Sequence, residues 1–185
     1  MTAPSPTSPT SPTSPTSPTP EAVPTVALPG DGELRWYRDR LVDLRLTGAQ
    51  TGERISLVEI EMPAGADTPL HRQPFDDETL YVLSGTLVVH IDGDEHAVGA
   101  GGIVFIPRET PHALRAEDDV KLIIFGIPAG QERYFRALSV PAPGRKLPPP
   151  ATAPPHPAAA IAVQQTAFLN GVELLGDPPF EAAAV

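Results

Sequence analysis

The hydrophobic residues between positions 31 and 140 fall in short runs in which they alternate with polar residues. The clearest run spans positions 55–62, where Val58, Ile60 and Met62 alternate with two glutamates. Alternation with a period of two is typical of a strand that buries one of its faces. The pattern predicts seven strands, at residues 41–46, 55–62, 79–83, 86–91, 103–106, 113–116 and 120–127.

Turn-forming residues separate the runs, as in Ser84-Gly85, in Asp92-Gly93-Asp94 and around Gly99–Gly102. No helical segment long enough to form the crossover that parallel strands require lies between the strands. The pattern therefore predicts an all-β fold of antiparallel strands, a sandwich or a barrel, rather than a parallel nucleotide-binding sheet.

Helical periodicity follows the last strand. Residues 131–139 place aromatic and aliphatic side chains at helical spacing. Residues 158–170 predict a second short helix that ends at Gly171, and we expect it to dock on this barrel or on a partner. Its expected apolar side consists of Ile161, Phe168 and Leu169.

Prolines mark the ends of the chain. Of the 25 prolines, nine lie in residues 1–30, ten in residues 141–185 and six between. The Ser-Pro-Thr repeat at the start has too few apolar residues to offset the entropy of ordering. We therefore expect a disordered tail at 1–30, a β-barrel domain at 31–140, and a proline-rich linker with a docking helix at 141–185.

The composition excludes several classes of protein. The absence of cysteine excludes disulfides, thiol nucleophiles and zinc–thiolate sites. A net charge of −10 without a basic stripe argues against nucleic acid as a partner. No apolar run approaches the roughly 18 residues of a membrane span, and the N-terminus does not resemble a secretory signal. A cytoplasmic protein that contacts neither membrane nor nucleic acid is expected.

Four polar residues have the chemistry of a metal site. His71 and Gln73 are two positions apart, so an extended backbone points them to the same side. Glu78 begins the next strand, and His112 begins a later one. Two imidazoles, a carboxylate and an amide oxygen suit a divalent metal, although any of these residues could instead be part of a hydrogen-bonded, metal-free interior.

The spacing of these residues resembles the first motif of the cupin superfamily. That motif reads Gly, five residues, His-x-His, three or four residues, Glu, six residues, Gly, and here Gly65, His71, Gln73, Glu78 and Gly85 occupy the corresponding positions. Gln73 departs from the motif, because it replaces the second histidine.

The second cupin motif is also matched. Gly101 is followed after five residues by Pro107 and then by His112, at the distance that the motif requires. The family also has a glycine and an asparagine where this chain has Glu109 and Ala116. The resemblance implies a jelly-roll barrel, an antiparallel double-stranded β-helix.

The resemblance also implies a cofactor. His71, Glu78 and His112 would hold a divalent ion, Fe, Mn, Ni or Zn, with Gln73 as a fourth or conditional ligand. Some cupins, among them mannose phosphate isomerases, use a glutamine in their zinc set, so Gln73 is compatible with a working site. Glu78 would double as a catalytic proton acceptor, as the resemblance to flavonol dioxygenases implies.

A narrower resemblance concerns the tracts HRQPFDDETLYVLSG, PAGQERYFRAL and GVELLGDPP. They are similar to small single-domain cupins of the quercetin 2,3-dioxygenase-like group. The similarity implies an oxygenase acting on a small apolar or aromatic substrate of the enol or flavonol type, in a homodimer. The alternatives are a cupin isomerase, cyclase or dehydratase in small-molecule biosynthesis, and a ligand-binding cupin without turnover.

The surroundings of the site can also be predicted. Asp76 and Asp77 are expected in a solvated loop at the barrel mouth, with a general-base role as the alternative. His90 and His96 are expected outside the site. The alternation predicts an apolar cavity wall of Val58, Ile60, Met62, Leu80, Val82 and Leu114.

Overall fold

The structure is a computed structural model, which describes residues 20–150 and 157–180. Its elements follow in the order β1 (Glu33–Tyr37), β2 (Arg40–Leu46), α1 (Gly48–Thr51), β3 (Ser56–Met62), β4 (Leu70–Arg72), β5 (Asp77–Ser84), β6 (Thr86–Ile91), β7 (Asp94–Gly99), β8 (Ile103–Ile106), β9 (His112–Ala116), β10 (Val120–Ile127), α2 (Gln131–Leu138), β11 (Val140–Pro141), α3 (Pro157–Leu169) and β12 (Glu173–Gly176).

The strands form two antiparallel sheets. One has seven strands in the order β11-β1-β2-β3-β10-β5-β8, and the other has five in the order β12-β4-β9-β6-β7. Neighbouring strands within each sheet are often distant in sequence, as β3 and β10 are, so the chain passes repeatedly between the sheets. The predicted antiparallel jelly-roll barrel with short C-terminal helices is confirmed.

The core lies between the two sheets. Strand β3 buries Val58, Ile60 and Met62, while the residues between them stay partly exposed. From the five-stranded sheet, Leu87 and Val89 are completely buried in the same hydrophobic cluster. The alternation in the sequence therefore identifies the buried face correctly, because one face of each sheet is covered by the other sheet.

All seven predicted strands are present, and each boundary lies within two residues of its prediction. The helix predicted at 131–139 is α2, and the one predicted at 158–170 is α3. The seven predicted strands leave out β1, β4, β7, β11 and β12. Of these, β7 is exposed and acidic, and β12 pairs with a strand about a hundred positions earlier.

The C-terminal segment docks on this chain's own barrel. Strand β12 extends the five-stranded sheet by pairing with β4. Gly171 ends α3 as predicted, with a positive φ of +85°. The predicted apolar side of the helix is wrong, however: Ala167 is completely buried, whereas Ile161, Phe168 and Leu169 are 60%, 61% and 81% exposed.

The described part of the N-terminal region lies against the barrel without forming a helix or strand. The Val23 amide donates to the Gln50 carbonyl at 2.9 Å, and Arg45 donates to the carbonyls of Ala27 and Leu28. The predicted Ser-Pro-Thr tail itself falls almost entirely in residues 1–19, outside the described residues.

Several predictions from the sequence are not tested by the structure. The domain boundaries at residues 30 and 140, the homodimer and the cytoplasmic location stay predictions. Within residues 20–150 and 157–180, no helix has the length and apolar character needed to cross a bilayer.

Candidate metal centre

Two adjacent strands of the five-stranded sheet bring the histidines together. His71, in the short strand β4, lies directly opposite His112, the first residue of β9. Their ring centroids are 4.3 Å apart. Prolines precede both strands, at positions 69 and 111. Because proline restricts the backbone to extended or turn conformations, the strands start at defined points and the imidazoles share one face of the sheet.

Backbone carbonyls orient both imidazole rings. Nδ1 of His71 lies 2.9 Å from the Pro69 carbonyl, and Nδ1 of His112 lies 2.9 Å from the Thr110 carbonyl. A carbonyl oxygen only accepts, so Nδ1 carries a proton in each ring and Nε2 is the nitrogen left for a ligand. This arrangement of outer hydrogen bonds is the usual one around metal-binding histidines.

The carboxylate comes from the opposite sheet. Glu78, the second residue of β5, is 3% exposed, and its Oε2 lies 2.9 Å from Nε2 of His112. The buried amide of Gln73 donates to the same oxygen at 3.1 Å. The site therefore lies between the sheets, with its histidines from one and its carboxylate from the other.

The donor set fits a divalent metal. One ligand atom from each of His71, Glu78 and His112 lies within 4.8 Å of the other two, so the three could hold a metal ion. Two imidazoles and one carboxylate match the donor preference of first-row divalent ions. Gln73 lies at the same point, and its role as a fourth ligand stays a prediction.

The electrostatics act differently on the three expected ligands. Desolvation and the charge of His112 lower the pKa of His71 to about 4, so its imidazole is neutral at neutral pH. Burial alone would raise the pKa of Glu78, but its hydrogen bond and charge interaction with His112 hold it below the usual value. Burial likewise opposes the charge on His112, but the Glu78 carboxylate raises its pKa.

Asp76 does not lie in the solvated loop that the sequence predicts. It is 4% exposed, and its Oδ2 has no hydrogen-bond partner. Burial and the neighbouring Glu78 charge raise its pKa to about 7. The buried Gln131 amide lies close enough to lower the pKa of both Asp76 and Glu78. The geometry of its two polar atoms is nevertheless outside that of a hydrogen bond. Asp77 is more exposed and pairs with Arg108 at 3.0 Å.

A cavity of about 50 Å³ opens beside the centre, lined in part by His71, Gln73 and Glu78. At roughly 10–15 Å³ for each water molecule, it has room for about three to five waters. Of the predicted apolar wall, Ile60, Met62 and Leu114 line this cavity. The other predicted wall residues, Val58, Leu80 and Val82, are fully buried in the core instead.

Two thirds of the residues that line the cavity are ones that the sequence analysis does not place there. Arg38 and Arg40 approach from the β1–β2 hairpin, and Tyr37 and Tyr134 add phenol groups. Val172 and Leu174 close the cavity from the C-terminal segment. No motif or periodicity connects these positions to His71, because they meet only through the packing of distant elements.

The other histidines lie outside the centre, as predicted. His96 is exposed on β7. His90 is partly buried, and its ring contacts Phe180 with the centroids 6.2 Å apart. Neither belongs to the group that could hold a metal ion among the described residues.

Comparison with known proteins gives a family and several curated relatives. The model of the family described as "Cupin domain" matches residues 58–128. Quercetin 2,3-dioxygenase of Bacillus subtilis is 28% identical over 128 residues, which are 69% of this chain and 38% of that protein. The uncharacterized protein MJ1618 of Methanocaldococcus jannaschii is 33% identical over 73 residues, 40% of this chain and 58% of that protein. The chain thus spans less than two thirds of either relative.

Solved structures agree on the fold. An RmlC-like cupin from Shewanella frigidimarina superimposes with a TM-score of 0.52 at 19% identity, covering 60% of this chain and 96% of that one. At this level of identity the likeness concerns the architecture of the barrel and leaves its chemistry to be argued from the residues of the site.

Proposed function

We propose that this chain, whose residues 58–128 match the cupin domain family, is a metal-dependent oxygenase acting on a small enol-type substrate. The observation that carries the proposal is the meeting of His71, Glu78 and His112 at a small, largely closed cavity. Three protein ligands leave coordination positions open for water or substrate, as catalytic metal sites require. The similarity to a quercetin 2,3-dioxygenase supports the oxygenase class.

The donor set suits non-haem iron first, because two histidines and one carboxylate form the facial triad of iron oxygenases. Manganese, nickel and zinc are accepted by the same donors. When bound, the ion would polarise a substrate oxygen and bring dioxygen beside it. A dioxygenase places both oxygen atoms in its products, so it consumes one O₂ for each substrate and needs no external reductant.

Glu78 has the properties of a proton acceptor. It is buried and lines the cavity, and its lowered pKa keeps it ionised at neutral pH. Gln73 orients the Glu78 carboxylate by donating to Oε2. The other oxygen of this carboxylate, Oε1, has no assigned donor among the described residues. An enol hydroxyl entering the cavity would find this oxygen as its base.

The size of the cavity limits the substrate. Ligand pockets for drug-sized molecules are typically about 300–1,000 Å³, whereas this cavity holds about 50 Å³. A three-ring flavonol would require the wall to move. The geometry therefore favours a compact enol over a flavonol.

Metal analysis tests the centre directly. Protein purified without chelator should hold close to one equivalent of a first-row metal, and the double variant His71→Ala/His112→Ala should lose it. The matched control His90→Ala/His96→Ala removes two histidines outside the centre and should retain the metal. Equal metal content in both double variants would refute the site.

Oxygen uptake tests the reaction class. Loaded protein should consume one O₂ per substrate with a compact enol such as 2,4-pentanedione, and Glu78→Gln should slow this uptake by about a hundredfold or more. A quercetin reaction should be slower than the compact enol reaction. Bound metal without oxygen uptake would reject the oxygenase and favour isomerase or cyclase chemistry, in which the metal acts only as a Lewis acid.

A further inference from the structure

One wall of the cavity is cationic and hydrogen-bonding. It consists of Tyr37, Arg38, Arg40 and Tyr134, and we call it the arginine–tyrosine wall. The first three belong to the β1–β2 hairpin and its turn, and the fourth belongs to α2. Together they face a cavity whose only acidic lining residue, among those described, is Glu78.

Arg38 has no assigned partner. It is exposed at the cavity, and it forms no hydrogen bond or ion pair with any residue in the described ranges. It occupies a two-residue turn between Tyr37 and Arg40, with a positive φ of 56°. Turns of this kind favour glycine or asparagine, so an arginine here is held in a strained conformation. A strained cation without a partner is available for a ligand.

Arg40 is a buried cation with unused donors. Its side chain is 3% exposed, and Nη2 donates to the Asp67 carbonyl at 2.6 Å and contacts Asp39 at 2.8 Å. Nε also donates to Asp39. Nη1 has no acceptor among the residues described. Because a guanidinium presents its donors as a planar fork, the free nitrogen suits an oxyanion.

The two tyrosines supply a further donor. Their hydroxyl oxygens are 2.6 Å apart in the buried interior. One hydroxyl donates to the other, and the accepting hydroxyl keeps its own proton free to donate. Tyr134 also lies close enough to Arg38 and Arg40 for their charges to act on its phenol.

We propose that the arginine–tyrosine wall binds the carboxylate of a compact organic acid, whose opposite end reaches His71 and Glu78. The cavity lining holds two guanidinium groups and one carboxylate, in a chain with a net charge of −10. Because Asp39 pairs with Arg40, the cation left without a carboxylate partner among the described residues is Arg38. A cation cluster within an acidic protein selects an anion locally. The identity of the opposite end rests on the proposed function, since that end would meet the metal.

The small volume of the cavity further restricts the class of substrate. A substrate that touches both the wall and the metal centre must be compact, because the cavity measures only about 50 Å³. An enolisable 2-oxo acid meets both requirements, because its carboxylate suits the guanidinium groups and its adjacent carbonyl or enol oxygen suits the centre. The apolar or aromatic substrate of the enol or flavonol type expected from the sequence has no carboxylate to bind this wall.

Calorimetric titration of the metal-free full chain tests the wall, with pyruvate and its neutral ester methyl pyruvate as probes. We expect pyruvate to bind at least about tenfold more tightly than the ester, and the difference to shrink as salt is added. Arg38→Gln should weaken pyruvate binding by about fivefold or more. Arg54→Gln is the matched control, since Arg54 is exposed and does not line the cavity.

The proposal is overturned if acid and ester bind equally, if neither binds at about 10 mM, or if the two arginine variants behave alike. The test is independent of the proposed function. A chain that distinguishes pyruvate from its ester but binds no metal refutes the metal-dependent enzyme alone. A chain that binds metal and consumes oxygen without this discrimination refutes the wall alone.

Discussion

At the scale of the residue, Gln73 is the position at which this centre differs from the two-histidine cupin motif. It is 5% exposed and donates to Oε2 of Glu78. An amide is neutral and a weaker ligand than imidazole, so a glutamine here lowers the affinity expected for a late first-row metal. It still fixes the orientation of the carboxylate.

Replacing Gln73 by histidine should tighten metal binding by about tenfold or more, because an imidazole adds a strong nitrogen ligand at the same point. Gln73→Leu keeps a similar volume without a polar group and should weaken binding. Competition with a chromophoric chelator measures both affinities. Unchanged affinity in both variants would place residue 73 outside the coordination sphere.

The three expected ligands could be predicted from the sequence because His71, Glu78 and His112 occupy the positions of the cupin motifs. The strand period of two alone places only His71 and Gln73 on the same side of the backbone. Asp76 and Arg40 could not be predicted in the same way. Their burial depends on α2 and on the β1–β2 hairpin, which reach the site only through tertiary packing.

Tyr134 gives the native state a specific dependence on alkaline pH. Burial and its interactions with Tyr37 raise the pKa of Tyr134 well above its ordinary value. The folded state therefore holds this proton more tightly than the unfolded state, whose phenol ionises near about pH 10. The stabilisation is complete below that pH and decreases as the pH rises above it.

Tyr134→Phe should remove this contribution and flatten the loss of stability between about pH 9.5 and 11. At pH 7 the variant should lose about 0.5–1.5 kcal/mol for the missing hydrogen bond. Urea unfolding at a series of pH values measures both effects. An identical pH dependence in the two proteins would contradict the assignment.

At the scale of the element, α3 illustrates the limit of prediction by hydrophobicity. The large side chains of Phe168 and Leu169 suggest the packed side, yet they face solvent, and the packed residue is Ala167. A small residue lets a helix approach its support closely, and a bulky one would hold it away. Which side of a short helix packs is thus decided by the shape of its receiving surface.

Ala167→Glu should release the C-terminal segment or lower the free energy of unfolding by about 2 kcal/mol or more, because it buries a charge in a site without space. Leu169→Glu is the matched control, since residue 169 is 81% exposed, and should be nearly neutral. Thermal unfolding and limited proteolysis report the difference. Equal effects would mean that α3 does not dock through Ala167.

Some strands can be predicted from the alternation of hydrophobic and polar residues, and others form only because a neighbouring strand is available for pairing. Strand β3 is visible in the sequence because it buries every second residue. Strand β12 has four residues and exists because β4 offers an edge for it. Strand β7 is exposed and pairs only with β6, so no buried face constrains its composition.

At the scale of the whole molecule, the contacts of the barrel extend into the N-terminal region before residue 30. Residues 23–28 share hydrogen bonds with Gln50 and Arg45. The sequence alone favours a dispensable segment up to residue 28, because its composition is that of a disordered chain. The contacts restrict that expectation to the repeat before residue 20.

Deletion of residues 1–19 should therefore leave metal content unchanged and the free energy of unfolding within about 0.5 kcal/mol, the usual range for surface changes. Deletion of residues 1–28 should cost more, because Gln50 and Arg45 lose the hydrogen bonds that they share with residues 23–28. Calorimetry of both deletions separates these outcomes. A large loss from the shorter deletion would show that the repeat contributes to the fold.

The pairing of Leu174 with His71 links the C-terminal strand to the metal centre. A metal that binds only when β4 is ordered stabilises the state in which β4 and β12 are paired. It therefore makes the local opening of β12 less frequent. Amide hydrogens of residues 172–176 should consequently exchange with solvent more slowly in loaded protein than in metal-free protein. Hydrogen exchange at the far end of the chain would then report occupancy of a centre buried between the sheets.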